Sequence, residues 1–208
     1  MFKTILEDTT SEIVEKKSKF IANLFYVETE EQAETKIKEI KKKYFDARHN
    51  CIAYRVIEND KVIERSSDDG EPSGTAGGPM LNILQKNNLC NILVIVTRYF
   101  GGILLGTGGL VRAYSDATIQ AIEKADKLNI YPGVEYKVKV EYSEFENFKY
   151  YCRKNDINII NVGYENEVEC NIEMRKASED NLLKDIGERS INVINCEYMG
   201  NKLVKLYN

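Results

Sequence analysis

Alternation of apolar and polar positions divides the chain into short strands and helices. Residues 134–142 read Val-Glu-Tyr-Lys-Val-Lys-Val-Glu-Tyr, which is typical of a strand with one face on a core and the other in water. Residues 91–97 form an almost unbroken apolar run instead, which predicts a buried strand. Thr29 stands before a segment with acidic residues at its start and lysines at its end, so we expect a helix over residues 30–43 with Thr29 as its N-cap.

The same patterns assign the remaining elements. In the first half we predict further strands at 11–14, 20–26, 49–57 and 61–65, helices at 75–86 and 108–127, and loops at 67–73 and 98–107. Asn59-Asp60 is predicted to form the turn of a hairpin between two of these strands. In the second half we predict strands at 134–142, 157–164, 167–174 and 193–206 and helices at 144–155 and 178–189. That β-α-β-β-α-β order is typical of a ferredoxin-like sandwich.

The density of glycine changes near residues 128–132. Glycine-rich motifs lie before this point, whereas a plain succession of strands and helices follows it. We therefore predict two domains, residues 1–130 and residues 131–208, in an α+β protein.

Charge and cysteine usage narrow the classes of protein that the chain could represent. The 208 residues carry 29 basic and 33 acidic side chains, a net charge of −4, which argues against nonspecific coating of nucleic acid but permits a local basic patch. The start of the chain has no long apolar stretch, so we expect a cytoplasmic protein without membrane contact. The five cysteines are widely spaced without a Cys-x-x-Cys pair, which predicts reduced thiols in the core.

The first motif that could carry chemistry is Asp46-Ala47-Arg48-His49-Asn50-Cys51. His49 and Cys51 suggest a thiol nucleophile with a base. In a strand, however, positions two apart stand about 7 Å from each other, too far for a direct hydrogen bond. His49 is the only histidine in the chain, so a histidine cluster for a metal is excluded. Arg48 and His49 are predicted to belong to a binding surface or to the structural framework, and catalysis is the alternative.

The second motif covers residues 65–77 and contains three carboxylates in four positions, Asp68, Asp69 and Glu71. The Asp-Gly and Glu-Pro pairs are turn formers, and Ser73 or Thr75 could cap the next helix. The carboxylates could share a hard cation such as Mg²⁺. They could instead complement the positive start of the helix that follows.

The third motif covers residues 97–115 and is a glycine loop between a strand and a helix, a context in which backbone N–H groups bind phosphate. It is not a Walker A loop, because Thr107 occupies the lysine position, and Val111 stands at the last glycine of a dinucleotide fingerprint. Arg98 and Arg112 flank the loop. The predicted anion-binding or nucleic-acid-binding set is Arg98, Tyr99, Phe100, Gly101, Gly102, Gly106, Gly108, Gly109 and Arg112, with Arg48 and His49. A purely structural glycine loop is the alternative.

Four stretches of the chain resemble the IMPACT/YigZ family: residues 17–22, 46–54, 67–77 and 97–115. Leu104 departs from the family pattern, which often has lysine there. The resemblance implies an N-terminal α/β sandwich similar to the second domain of a small-subunit ribosomal protein. It also implies a C-terminal ferredoxin-like domain similar to the last domain of elongation factor G.

The resemblance further implies a function in translation, since eukaryotic relatives regulate translation under amino-acid starvation stress. We expect a regulator that binds structured RNA or the ribosome, in which Arg98, Arg112, Arg48 and residues 16–19 contact phosphate, with a possible protein partner in translation. The alternatives are a Mg²⁺-dependent enzyme on a phosphorylated or nucleotide substrate and a protein–protein adaptor that uses the exposed sheet of the second domain. The missing Walker lysine favours binding over catalysis, and no cofactor is predicted.

Overall fold

The computed structural model describes residues 2–58 and 61–206 and has the predicted mixed α+β architecture. The predicted turn at Asn59-Asp60 lies outside the described residues. The chain forms two compact units, Met1–Leu128 and Asn129–Asn208. None of the helices in the described part combines the length and the apolar character that are needed to span a bilayer.

Within the described residues, the first unit contains an antiparallel five-stranded sheet and three helices. Its elements are β1 (Phe2–Ile5), β2 (Thr9–Glu15), β3 (Ser18–Tyr26), α1 (Glu30–Lys43), β4 (His49–Glu58), β5 (Lys61–Ser67), α2 (Gly77–Lys86), β6 (Ile92–Tyr99) and α3 (Thr107–Lys124). The strand order is β2-β3-β6-β4-β5. Strand β1 stands beside residues 88–90, where the Cys90 N–H donates to the Lys3 carbonyl at 2.9 Å.

Helices cover both faces of this sheet. Val94 and Val96 of β6 point into the core beneath α2 and α3, whereas Leu93 and Ile95 point into the core beneath α1. This two-sided burial explains the unbroken apolar run of β6. The predicted N-cap of α1 is confirmed, because the Thr29 hydroxyl accepts a hydrogen bond from the Gln32 N–H at 3.1 Å.

The register of the sheet brings the three sequence motifs to one end of the first unit. Arg98, near the end of β6, stands between Phe20 of β3 and His49 of β4. The glycine loop therefore leaves the sheet beside the turn between β2 and β3 and beside the start of β4. The β5–α2 loop, residues 68–76, lies at the same end because its Asp69 binds the backbone of β4 at Asn50.

The second unit has the predicted ferredoxin-like order. Its elements are β7 (Lys127–Val140), α4 (Phe145–Lys154), β8 (Asn158–Tyr164), β9 (Val168–Arg175), a 3₁₀ turn (Lys176–Ser178), α5 (Glu179–Gly187) and β10 (Asn195–Leu206). The strands pair in the order β10-β7-β9-β8, all antiparallel. Val134, Tyr136, Val138 and Val140 of β7 face the core with alternate residues of β9, while the lysines and glutamates between them lie on the open face.

Candidate functional site

Asp68 organises the β5–α2 loop through backbone hydrogen bonds. Its Oδ1 accepts from the N–H groups of Ala76 and Gly77 at 3.0 and 2.8 Å, and its Oδ2 accepts from Gly74 at 2.8 Å. Burial opposes ionisation of this carboxyl, but the three donors outweigh it and lower its pKa. Asp68 thus complements the positive start of α2, which is one of the two roles predicted for this cluster.

Asp69 has different partners. Its carboxylate accepts from the Asn50 N–H at 2.7 Å and pairs with Lys41 at 2.7 Å, while its carbonyl contacts His49 Nδ1 at 2.9 Å. Glu71 points into the core. The structure therefore directs the three predicted metal-ligating carboxylates to separate protein partners, and no group of three His, Cys, Asp or Glu in the described part of the chain is placed to hold a metal ion.

Glu71 joins the three sequence motifs beneath the surface. Its side chain is only 3% exposed. Its Oε1 accepts from Arg98 Nη1 at 2.6 Å and from the Tyr114 hydroxyl at 2.9 Å, and His49 Nε2 lies 3.9 Å away. We call Glu71, Arg98, Tyr114 and His49 the buried network. It ties the β5–α2 loop, the end of β6, helix α3 and the start of β4 to one carboxylate.

Arg98 is not a surface phosphate contact in this structure, contrary to the expectation from the sequence. The residue is 6% exposed and its charge is paired with Glu71. Its guanidinium lies 5.4 Å from the ring of Phe20 and 5.6 Å from the ring of Phe100. Arg98 thus packs against Phe100 at the start of the glycine loop, with its charge directed to Glu71.

His49 and Cys51 do not form a nucleophile and a base. The Cys51 thiol is fully buried and donates to the Asp68 carbonyl at 2.9 Å. Burial raises the pKa of this thiol to about 12, so the nucleophilic thiolate is disfavoured. His49 contacts Asp69 and stands beside Glu71, so both residues serve the framework of the site.

Gly101 fixes the start of the glycine loop against the turn between β2 and β3. Its N–H donates to the Ser18 hydroxyl at 3.1 Å, and a Cβ added at this position would lie 2.0 Å from the Lys17 carbonyl carbon. Only glycine permits this approach. Gly102 and Gly106 adopt φ of +83° and +73°, a region that also favours glycine.

The exposed part of the loop leads into helix α3. Gly106 is the N-cap of this helix and supplies no side-chain hydrogen bond to it. Thr107 and Gly108 in the first turn are exposed and Gly109 is half-buried. The N–H groups of this turn are therefore not capped by a side chain of residue 106, as expected for an anion-binding helix start.

A set of exposed cations surrounds this end of the first unit. We call Lys16, Lys17, Arg48 and Arg112 the basic rim; all four side chains are exposed. None of them has a side-chain hydrogen bond or ion pair within the described residues. Phe100 is 51% exposed beside them, whereas the hydroxyl of Tyr99 is engaged by Asp46 at 2.8 Å. The rim thus offers free positive charge and one free aromatic face.

Two components of the site were missed by the sequence reasoning. Tyr114 holds Glu71 from helix α3, and Ser18 accepts the Gly101 N–H while lying 3.5 Å from Arg98 Nη2. A signal for burial was present for Arg98, which has the same parity along β6 as the core residues Val94 and Val96. No pattern in the sequence pointed to Ser18 or Tyr114 as its neighbours.

Comparisons with known proteins match both units. The Impact N-terminal domain model matches residues 16–122, and the model of a domain of unknown function (DUF1949) matches residues 138–190. The IMPACT family member of Haemophilus influenzae is 35% identical over 176 residues, which cover 84% of this chain and 85% of that protein. IMPACT family member YigZ of Escherichia coli is 38% identical over 151 residues, covering 72% of this chain and 74% of YigZ.

Two further matches differ in how much they cover. IMPACT family member YvyE of Bacillus subtilis is 50% identical over 119 residues, so the alignment spans 57% of this chain and about half, 54%, of YvyE. The crystal structure of a hypothetical protein superimposes with a TM-score of 0.63 and 33% identity, covering 92% of this chain and 95% of that one.

Proposed function

This chain belongs to the IMPACT family, and we propose from that premise that it acts in translation, in the cytoplasm, by binding structured RNA through the basic rim. The ribosome is the proposed location of that RNA. The family resemblance supports the connection with translation, and the geometry of the first unit supports the class of ligand.

One observation carries the proposal: four exposed cations, all without partners in the described structure, lie at the end of the first unit where the three motifs meet, and two of them, Lys16 and Arg112, lie beside the uncapped start of α3. The chain as a whole has a net charge of −4, so this positive charge is local. Positive groups around exposed backbone N–H donors suit phosphate oxygens, and the free face of Phe100 suits a base that is not stacked in a helix.

The buried network has a supporting role in this proposal. Arg98 is held by Glu71 and lies against the Phe100 ring, while Ser18 receives the Gly101 N–H. The loop is therefore presented in a fixed conformation, and little conformational entropy has to be lost when RNA binds. Arg98 thus contributes by positioning the loop, not by contacting phosphate.

The engagement of the three carboxylates weighs against the enzymatic alternative. Asp68 binds three backbone donors, Asp69 binds Lys41 and the Asn50 N–H, and Glu71 binds Arg98 and Tyr114. A shared cation would have to displace these partners. The carboxylates are therefore assigned to holding the loops, which leaves RNA binding as the better supported function.

Salt-dependent binding to a labelled RNA hairpin tests the proposal. We expect the logarithm of the association constant to fall linearly with the logarithm of the salt concentration, and Arg112→Gln to make the slope shallower by about 1. Phe100→Ala should weaken binding while leaving the slope unchanged, because stacking releases no counterions. Binding without salt dependence, or an Arg112→Gln protein that binds as the original does, would overturn the proposal.

A further inference from the structure

A small cleft lies beside the basic rim, between the end of β2 and the first turns of α3. Its volume is about 250 Å³. Its apolar lining consists of Ile13, Leu105 and Ala113, and Gly109 leaves room at the start of the helix. The cleft belongs entirely to the first unit.

Charged side chains of both signs line this cleft. Lys16 and Arg112 contribute positive charge, and Glu15 and Asp116 contribute negative charge. All four side chains are exposed, and none has a hydrogen bond or an ion pair within the described residues. Two cations and two carboxylates thus line one cavity without pairing with one another in the described structure.

The lack of pairing within α3 has a physical reason. Arg112 and Asp116 are four residues apart and therefore neighbours on the helix surface, but the basic residue precedes the acidic one, which is the weaker orientation for a helical ion pair. The side chains of Arg112 and Asp116 are therefore both available to a ligand.

Phosphate alone does not satisfy the cleft. Glu15 and Asp116 would repel a polyanion that entered it, whereas Lys17 and Arg48 of the rim lie outside the lining. The four charges of the lining sum to zero, so a ligand that pairs with both signs must present a cation together with an anion. The volume corresponds to about eight water molecules, so it suits a ligand of that number of non-hydrogen atoms rather than a nucleotide.

We infer that the cleft binds a small zwitterion, a molecule with an acid group and an ammonium group at the two ends of a short apolar chain. The acid group faces Arg112, Lys16 and the start of α3. The ammonium group faces Asp116 and Glu15, and the apolar chain covers Ile13 and Ala113. This site overlaps the proposed RNA contact, because Arg112 and Lys16 belong to both, whereas Lys17 and Arg48 belong to the rim alone.

Titration of the full chain, free of RNA, with 4-aminobutyrate tests the inference. The amide NMR signals of Gly109 and Ala113 should shift and saturate. Butyrate and butylamine, which each carry one of the two charges, should bind at least tenfold more weakly. The absence of a saturable shift up to about 50 mM 4-aminobutyrate would overturn the inference. A dissociation constant above that concentration corresponds to a binding free energy smaller than about 2 kcal/mol. Equal affinity for all three compounds would overturn it as well.

Single substitutions test which side chain contacts the acid group of the ligand and which contacts its ammonium group. Arg112→Gln should reduce the affinity for 4-aminobutyrate to that for butylamine, and Asp116→Asn should reduce it to that for butyrate. Arg153→Gln, which removes an exposed arginine of α4, is the matched control and should change nothing. If Asp116→Asn leaves the affinity unchanged, the ammonium contact is wrong and the site is only an anion site.

A fourth variant separates this inference from the proposed function. Arg48 lies outside the cleft, so Arg48→Gln should weaken RNA binding while leaving the titration with 4-aminobutyrate unchanged. A protein that binds the zwitterion but no RNA would retain the cleft and contradict the proposed function. A protein that binds RNA but shows no saturable shift with 4-aminobutyrate would support the proposed function and overturn the inference of a zwitterion site.

Discussion

Two regions of the molecule differ in how their charged residues are paired: the end of the first unit where the three sequence motifs meet, and the open sheet face of the second unit. On the sheet face Lys137 and Lys139 pair with Glu169 at 2.7 and 3.5 Å, and Lys202 pairs with Glu135 and Glu173 at 3.1 and 2.8 Å. In the first unit one pair, Glu71 with Arg98, is buried, and the four cations of the basic rim have no partners in the described structure.

The comparison shows that the number of charges does not identify a binding surface. A sheet face whose lysines and glutamates alternate across strands neutralises itself and is stabilised by cross-strand pairs. Around the glycine loop the two signs of charge are separated by depth instead. The Glu71 carboxylate is buried and stabilises the framework, whereas the cations of the basic rim are exposed and unpaired in the described structure. Sorting of this kind costs stability, because a buried ion pair is desolvated and rim cations repel one another.

The largest effect is expected for loss of the buried carboxylate charge. Glu71→Gln leaves the Arg98 charge buried without its counterion, so the free energy of unfolding of the first unit should fall by about 3 kcal/mol. Urea unfolding followed by the amide NMR signals of residues 92–96 measures this unit directly. Glu169→Gln on the open sheet face is the matched control and should leave the transition of the first unit in place. A loss below about 1 kcal/mol would show that the pair is not a structural requirement.

The next effect compares Gly101, at the start of the glycine loop, with Gly108, in the first turn of α3. Gly101→Ala places a Cβ against the backbone of Lys17 and Ser18, so we expect a loss of about 1–3 kcal/mol in the free energy of unfolding. Gly108→Ala meets nothing within 4 Å and should raise stability by up to about 1 kcal/mol, since alanine is the better helix former. Thermal unfolding of the two variants decides, and equal effects would contradict the close approach at Gly101.

RNA binding should depend on the unpaired cations of the basic rim and not on the paired lysines of the sheet face. The double variant Arg48→Gln with Arg112→Gln should make the slope of the salt dependence shallower by about 2, because two phosphate contacts are lost. Lys137→Gln with Lys139→Gln removes the same number of charges from the paired sheet face and should leave the slope unchanged. Fluorescence anisotropy with one labelled RNA hairpin compares them, and equal losses would indicate binding by total charge alone.

The smallest effect is a difference in how salt acts on two carboxyl groups. Hydrogen bonding to Lys137 is the main cause that lowers the pKa of Glu169, and a charge-based effect of this kind is screened by salt. For Asp68, backbone N–H donors outweigh burial and lower the pKa, so salt should have little influence. We therefore expect 1 M NaCl to raise the pKa of Glu169 and to leave that of Asp68 low, as measured by carboxyl ¹³C NMR titration.

The sign of the pH dependence follows from these lowered pKa values. A carboxyl whose pKa is lower in the folded than in the unfolded state stabilises the fold above the unfolded value and loses that contribution as the pH falls through the folded value. For Asp68 the loss should begin as the pH drops below about 4, near the ordinary pKa of aspartate, and Asp68→Asn should remove that part of the dependence.

Most of the fold could be predicted because its elements have clean local patterns. The alternation in β7 and the apolar run of β6 reflect one-sided and two-sided burial, and Thr29 caps α1 as expected. The boundary between α3 and β7 was predicted less well: α3 ends at Lys124 and β7 begins at Lys127, earlier than the predicted strand start at Val134. Pro132 and Gly133 look like strand breakers, yet they pair with Leu203 and Lys202 of β10.

The candidate site was predictable as a set of motifs but not as an arrangement. The three motifs lie at one end of the first unit because of the register between β3, β6 and β4, which no local pattern specifies. Glu71 and Arg98 are distant in sequence, and each has an obvious exposed role when considered alone. In the structure both side chains are buried and pair with each other, because a carboxylate or a guanidinium is tolerated in a core only with a partner of opposite charge.

Sedimentation of the protein with ribosomes through a sucrose gradient tests the central claim, that the free cations of the basic rim bind RNA, most directly. We expect the original protein to sediment with ribosomal particles at low salt and to leave them at high salt, while the Lys17→Gln, Arg48→Gln, Arg112→Gln variant remains in the soluble fraction throughout. RNA binding by the basic rim would be disproved if the original protein stayed soluble at low salt, or if the folded triple variant still sedimented with ribosomes.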